Sequence, residues 1–293
     1  MRPADGADKM FLAEILAWKR EEVKKRSRER PGNSLLDEIT IRSGNANSLS
    51  SALKISGPSI VAEIKRASPS RGVFAPQLIP KKLAAVYAGN GAAALSVLTD
   101  ERYFKGSLDD LRAVRTVTNL PILRKDFIID PYQILEAKWA GADAILLIMA
   151  ALSREQAMEL RACAREFGLE VLAEVHKAVE VEAALALEPE VIGINNRDLV
   201  TFKVSLEVTK ELRPVIRAQA RARVLQPGLI QNRPEPIIPA GARALPVISE
   251  SGIRSRQDIV SLCALGVDGF LIGETLVKSE DPGKILRELR GGR

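Results

Sequence analysis

The chain has 293 residues, 46% of them hydrophobic, and no apolar run nears the roughly 20 residues of a membrane span. Its polar start, Met1-Arg2-Pro3-Ala4-Asp5, lacks the apolar core of a signal peptide, so a cytoplasmic location is expected. The net charge is +6, but residues 217–243 hold five arginines against Glu235 alone, and 4% aromatic content leaves no basic, stacking surface for nucleic acid.

Residues 10–28 read as an amphipathic helix with Phe11, Ile15, Trp18 and Val23 on its apolar side. Lys24, Lys25, Arg26 and Arg28 then form a solvated C-terminal end. This helix belongs to an extension, residues 1–58, expected to pack on the domain formed by residues 59–293. Short, continuous apolar runs begin near Ser59, Ala93, Pro121, Asp143, Leu169, Glu190, Pro246 and Asp268. Runs this short suit strands buried on both faces. Between them stand helix starts: Ser107 before Leu108, Asp130 before Pro131, Ser153 before Arg154, Asp281 before Pro282. Eight strands alternating with helices predict a parallel (β/α)8 TIM barrel over residues 59–293. The step from Glu190 to Pro246 is long. It holds a helix over about 205–217 and then an insertion over about 217–244, between the sixth helix and the seventh strand. Such a loop lies at the N-terminal face, away from the chemistry. Cys163 and Cys263 fit no metal or redox spacing and are expected to be buried, inert thiols. A single histidine, His176, excludes a multi-histidine metal cage.

The strands stop being hydrophobic at their C-terminal ends, where a barrel keeps its catalytic groups. Positions two apart share a face. Glu63 with Lys65, Leu123 with Lys125, Leu172 with Glu174, Gly193 with Asn195 and Ile248 with Glu250 therefore point inward in pairs. Glu63, Glu174 and Glu250 face Lys65, Lys125 and Arg197 across one mouth. One such pair would serve structure as readily as function, but charges from five strands converging on one spot point to acid–base chemistry. Ser251-Gly252-Ile253 and Ile272-Gly273-Glu274 follow the last two strands, the usual phosphate loops of a barrel. Ser68-Pro69-Ser70, after the first strand, offers hydroxyls to a carboxylate or simply shapes its loop. Phe104, Phe127 and Leu146 are candidates for an apolar slot, though any one of them is more often ordinary core.

Taken together these segments resemble the indole-3-glycerol-phosphate synthase family of tryptophan biosynthesis. The resemblance is carried by Val61-Ala62-Glu63-Ile64-Lys65-Arg66-Ala67-Ser68-Pro69-Ser70, Ser96-Val97-Leu98-Thr99 with Phe104-Lys105-Gly106-Ser107, and Pro121-Ile122-Leu123-Arg124-Lys125-Asp126-Phe127. It continues in Leu172-Ala173-Glu174-Val175-His176, Gly193-Ile194-Asn195-Asn196-Arg197-Asp198-Leu199, Ser249-Glu250-Ser251-Gly252-Ile253 and Leu271-Ile272-Gly273. It runs in order from about Met10 to Arg290. It implies a carbon–carbon lyase that turns 1-(2-carboxyphenylamino)-1-deoxyribulose 5-phosphate into indole-3-glycerol phosphate, CO2 and water, without cofactor or metal. By resemblance Lys125 is the general acid and Glu174 a general base or acid, with Glu63, Lys65 and Glu250 completing the catalytic group. Ser68, Asn195 and Arg197 resemble holders of the anthranilate carboxylate. Ser251, Gly252, Gly273 and Glu274 resemble the phosphate site, and Phe104, Phe127 and Leu146 the aromatic pocket. The chemistry asks for a lysine that gives up a proton, and a depressed lysine pKa would suit it. The insertion is absent from the family pattern, and the loosely matching extension is expected to hold no catalytic residue. Other enzymes of the tryptophan pathway are candidate partners.

Two other enzymes and a non-catalytic module compete with this reading. A Schiff-base aldolase would use Lys125 as an imine-forming lysine. Phosphoribosylanthranilate isomerase, a neighbouring barrel enzyme, would need a Cys/Asp acid–base pattern that the chain does not show. A binding or scaffold module would use the Arg-rich insertion against nucleic acid, but the charged mouth argues for an enzyme.

Overall fold

The computed structural model describes residues 7–41, 47–53, 57–225 and 245–292. The first barrel strand, β1 (Ser59–Ile64), leads into a small antiparallel hairpin of β2 (Ala67–Ser68) and β3 (Gly72–Val73), which carries Ser68 and was not expected. The other barrel strands are β4 (Ala94–Leu98), β5 (Ile122–Lys125), β6 (Ala144–Ile148), β7 (Glu170–Val175), β8 (Val191–Asn195), β9 (Val247–Glu250) and β10 (Gly269–Ile272). With β1 they form a closed parallel barrel of eight, each strand paired with the next in chain order and β10 closing on β1. The expected starts are met to within one residue. The extension supplies α1 (Ala7–Glu29), α2 (Gly32–Ile41) and α3 (Leu49–Ala52). Around the barrel run α4 (Pro80–Gly89), α6 (Leu108–Arg115), α7 (Pro131–Ala140), α8 (Arg154–Glu166), α9 (Ala178–Ala186), α10 (Glu207–Leu225), α11 (Arg256–Cys263) and α13 (Pro282–Arg290). Two short helices, α5 (Glu101–Phe104) and α12 (Glu274–Val277), follow β4 and β10 on the mouth side.

Alternation within the strands explains why they read as unbroken apolar runs. Val61, Ala94, Leu123, Ala144, Leu172, Val191, Ile248 and Leu271 fill the barrel interior. Their neighbours Ile60, Ala62, Leu95, Ile122, Ile145, Val171, Ile192, Val247 and Phe270 face the helices. The helix starts hold as well. Ser107, Asp130 and Asp281 each accept a backbone N–H, and Ser153 and Ser255 close capping boxes.

The extension wraps the barrel from mouth to floor. Leu49 and Leu53 plug the N-terminal end of the barrel, while Ser48 and Ser50 bind the carboxylate of Glu170 at the foot of β7. At the other end α1 sets Ile15 and Leu16 against the barrel interior. Here the expected apolar face needs correcting. Trp18 is 44% exposed, under the guanidinium of Arg102, and the fully buried residue beside it is Lys19. Ile15, Lys19 and Val23 are four apart and share one side of the helix. Lys19 is tolerated there because Asp100 and Asp126 each lie 2.9 Å from its ammonium and Glu22 lies 3.1 Å away. Burial alone would pull its pKa down; these carboxylates outweigh it and raise it. Arg26 also leaves the expected solvated end, pairing with Glu22 and Glu101.

Two further expectations change. α10 continues past residue 217 to Leu225, despite Pro214 in its interior, because Leu212 and Ile216 are buried on the barrel. Only residues 226–244 of the expected insertion remain outside α10, and they lie outside the described residues. Cys163 and Cys263 are half-buried rather than buried, and both are free; burial first of all raises both thiol pKa values.

Candidate active site

The strand register brings the polar ends to one level. Leu98 lies opposite Lys125, Glu174 opposite Ile148 and Gly193, and Glu250 opposite Asn195 and Leu271. Gly193 is what makes room: a Cβ there would overlap Glu250 Oε1. The side chains enclose a cavity of about 700 Å³ at the C-terminal mouth. All fifteen residues singled out from the sequence line it.

Lys125 is the centre of the charge cluster. Its Nζ lies 2.7 Å from Glu250 Oε2 and 3.2 Å from Glu174 Oε2. Lys65 pairs with Glu63 at 2.6 Å. Burial would depress the Lys125 pKa, but Glu250, Glu174 and Glu63 outweigh it, so the ammonium is held more firmly than usual. The expected depressed lysine is therefore not found; sequence shows which charges meet but not which of two opposing effects wins. The carboxylates divide. Glu250 is pushed up to about 7 by burial and by the charge of Glu174, against the pull of Lys125. Glu174 is drawn below the usual carboxylate range, because Lys125, His176 and Asn195 outweigh its burial. Two carboxylates sharing one ammonium thus differ in proton affinity, as a site that must both give and take protons requires.

Arg197 does not join the cluster as an ion pair. Among the described residues its guanidinium donates to Ser70 Oγ at 3.2 Å and to the Phe202 carbonyl at 3.3 Å. Its remaining donors suit an incoming carboxylate. Ser68 Oγ is buried without a hydrogen-bond partner among the described residues, which again suits a ligand. Phe104 and Phe127 stand with ring centroids 6.3 Å apart beside Leu146.

At the other side of the cavity Ser251 and Gly252 both take positive φ values, 64° and 84°. Glu274 follows Gly273 at the start of α12, its side chain held by Lys278 at 2.7 Å and Arg71 at 3.5 Å. A Cβ at Gly273 would overlap Glu63 Oε1, so this glycine also keeps room for a catalytic candidate.

Several lining residues, and one residue behind the cavity, escaped the sequence reading. Arg71, Arg254 and Lys278 bring three cations to the Ser251 and Gly273 corner. Phe11, Leu12 and Ile15 bring α1 into the wall, and Phe11 meets Tyr103 and Phe202 edge-on at 5.6 and 5.1 Å. His176 lies 3.3 Å from Glu174 Oε1. The period-two rule that paired the other inward residues would have paired Glu174 with His176.

The family model "Indole-3-glycerol phosphate synthase" matches residues 12–235 and 231–289. Among curated relatives, indole-3-glycerol phosphate synthase of Laribacter hongkongensis is 42% identical over 282 residues, covering 95% of this chain and 98% of the relative. That of Bordetella pertussis is 43% identical over the same shares, and that of Carboxydothermus hydrogenoformans is 48% identical over 230 residues, 78% of each chain. A mutant tryptophan synthase alpha-subunit from Pyrococcus furiosus is similar in structure, with TM-score 0.57 over 80% of this chain and 98% of that one; at 16% identity this speaks for the barrel fold alone. The relatives cover 78–95% of the chain at well over the identity at which family membership is secure. The chain belongs to the indole-3-glycerol phosphate synthase family, carbon–carbon lyases of tryptophan biosynthesis (EC 4.1.1.48).

Proposed function

We propose that this mouth closes the indole ring of 1-(2-carboxyphenylamino)-1-deoxyribulose 5-phosphate, with Lys125 as proton donor and Glu174 as the group that takes a proton back. The observation that carries the reading is Lys125 held between Glu250 and Glu174 in a partly apolar cavity of about 700 Å³. Lys125 protonates the substrate carbonyl oxygen as the ring carbon attacks. A tightly held ammonium still serves, because the alkoxide forming on that oxygen is a stronger base than an amine. Loss of CO2 restores the ring. Lys65, held by Glu63, is placed to protonate the leaving hydroxyl, and Glu174 removes the proton from carbon. Glu250 fixes Lys125.

Binding divides the same way. Ser68, Asn195 and Arg197 hold the anthranilate carboxylate, Phe104, Phe127 and Leu146 flank the ring, and Ser251, Gly252, Gly273 and the Glu274 backbone take the phosphate. No cofactor or metal enters the scheme. Residues 1–58 act as an extension of a catalytic barrel over 59–293, in the cytoplasm; association with other tryptophan-pathway enzymes is part of the same reading. The test is indole fluorescence on adding the carboxyphenylamino sugar phosphate to purified enzyme. Growth of product fluorescence supports the proposal, and its absence with folded enzyme contradicts it.

A further inference from the structure

Proton balance requires that each turnover draw a proton into this site. The carboxylate of the substrate leaves as neutral CO2, so each turnover consumes one proton from solvent. Two protons are donated, to the carbonyl oxygen and to the departing hydroxyl, and one is recovered from carbon. While substrate occupies the mouth, that opening is a poor route for recharging Lys125.

Behind Glu174 a second route is present. Its Oε2 faces Lys125 at 3.2 Å, and its Oε1 faces His176 Nε2 at 3.3 Å. The other ring nitrogen, Nδ1, lies 3.6 Å from Glu180 Oε2. Glu180 stands in the first turn of α9, its side chain 14% exposed, and accepts the backbone N–H of His176 at 2.6 Å. Glu174 lines the mouth cavity, but His176 and Glu180 do not. We propose that His176 and Glu180 form a proton relay from solvent to Glu174, entering the site from behind the bound substrate. The inference rests on the proposed role of Glu174 in proton transfer.

The transfer balances without a co-reactant. Protonated His176 passes the proton on Nε2 to Glu174 Oε1. The ring keeps its proton on Nδ1, and a ring flip turns the bare nitrogen towards Glu180, which reprotonates it and in turn takes a proton from water. The Glu174 carboxyl turns and delivers this proton to Lys125 before it takes the proton from carbon, which exchanges with Lys65 once product has left the mouth. The 3.6 Å gap between the ring and Glu180 exceeds hydrogen-bond length and is closed during the flip or by one bridging water. Burial favours the neutral ring, but Glu174 and Glu180 outweigh it and raise the His176 pKa to about 9, so the imidazolium is the resting form at neutral pH. The only charged groups facing the ring among the described residues are these two carboxylates, one from β7 and one from α9.

The test is His176→Ala, assayed in single and in multiple turnovers, with and without added imidazole. The relay recharges the site, so the first turnover should stay within about twofold of native while steady-state kcat falls at least about tenfold, with KM little changed. Imidazole should restore kcat. Unchanged steady-state kcat would overturn the relay. An equal loss in both regimes without rescue would also overturn it, since that is what mere positioning of Glu174 gives. If His176→Ala does not fold, Glu180→Gln carries the test, with the same steady-state defect expected and native kcat contradicting it. An active Glu174→Gln would remove the underlying reading; an inactive one beside a native His176→Ala would remove the relay alone.

Discussion

At the residue scale, the inward period of two located Lys65, Lys125, Glu174, Asn195 and Glu250, because a strand offers only two faces and one of them is the barrel interior. What sequence did not show was the balance of charges. Lys125 lies between three carboxylates that keep it protonated, which opposes an imine-forming role. Borohydride added during turnover should therefore leave the mass and activity of the enzyme unchanged; a reduced substrate adduct on Lys125 would establish the aldolase reading instead. His176 offers a check on stability. Its folded pKa, about 9, lies above the ordinary 6.5, so the imidazolium stabilises the fold fully below about pH 6.5, and the contribution is lost as pH rises through 9. Chemical denaturation of wild type and His176→Gln should show a stability difference at pH 6 that has largely gone by about pH 10. A constant difference would mean that the ring is not held charged.

At the scale of elements, the barrel strands and helix caps were legible because each is a local signal: a short apolar run, or a capping side chain before a helix. The contribution of α1 was not. Lys19 reads as an ordinary exposed helix lysine until the fold sets Asp100, at the end of β4, and Asp126, beside Lys125, against it. Only long-range packing reveals that α1 is latched to the rim of the site. Lys19→Met should leave the buried Asp100 without its cation and Asp126 with Arg124 alone, at a cost of about 3–5 kcal/mol. It should also raise KM several-fold, since Phe11, Leu12 and Ile15 hang from the same helix in the cavity wall. Denaturation and steady-state kinetics check both parts; an unchanged KM in a destabilised variant would separate the latch from the site.

At the scale of the whole molecule, the barrel divides labour between its ends. Lys125, Glu174 and Glu250 sit at the C-terminal mouth, and the described chain stops at Leu225, at the end of α10, and resumes at Leu245, just before β9 begins at the floor. Replacing residues 226–244 by a short linker should leave kcat and KM within a few-fold, while removing Arg233 and Arg243 against Glu235 lowers the net charge by one. Lost activity in a folded deletion would show that this segment reaches a mouth, its own or that of a second copy. The central claim is proton transfer at Glu174, and its most direct test is Glu174→Gln, which keeps shape and removes the titratable group. The account predicts a kcat lower by about 10²–10⁴-fold with substrate affinity nearly retained. A turnover number close to that of the wild type would contradict it.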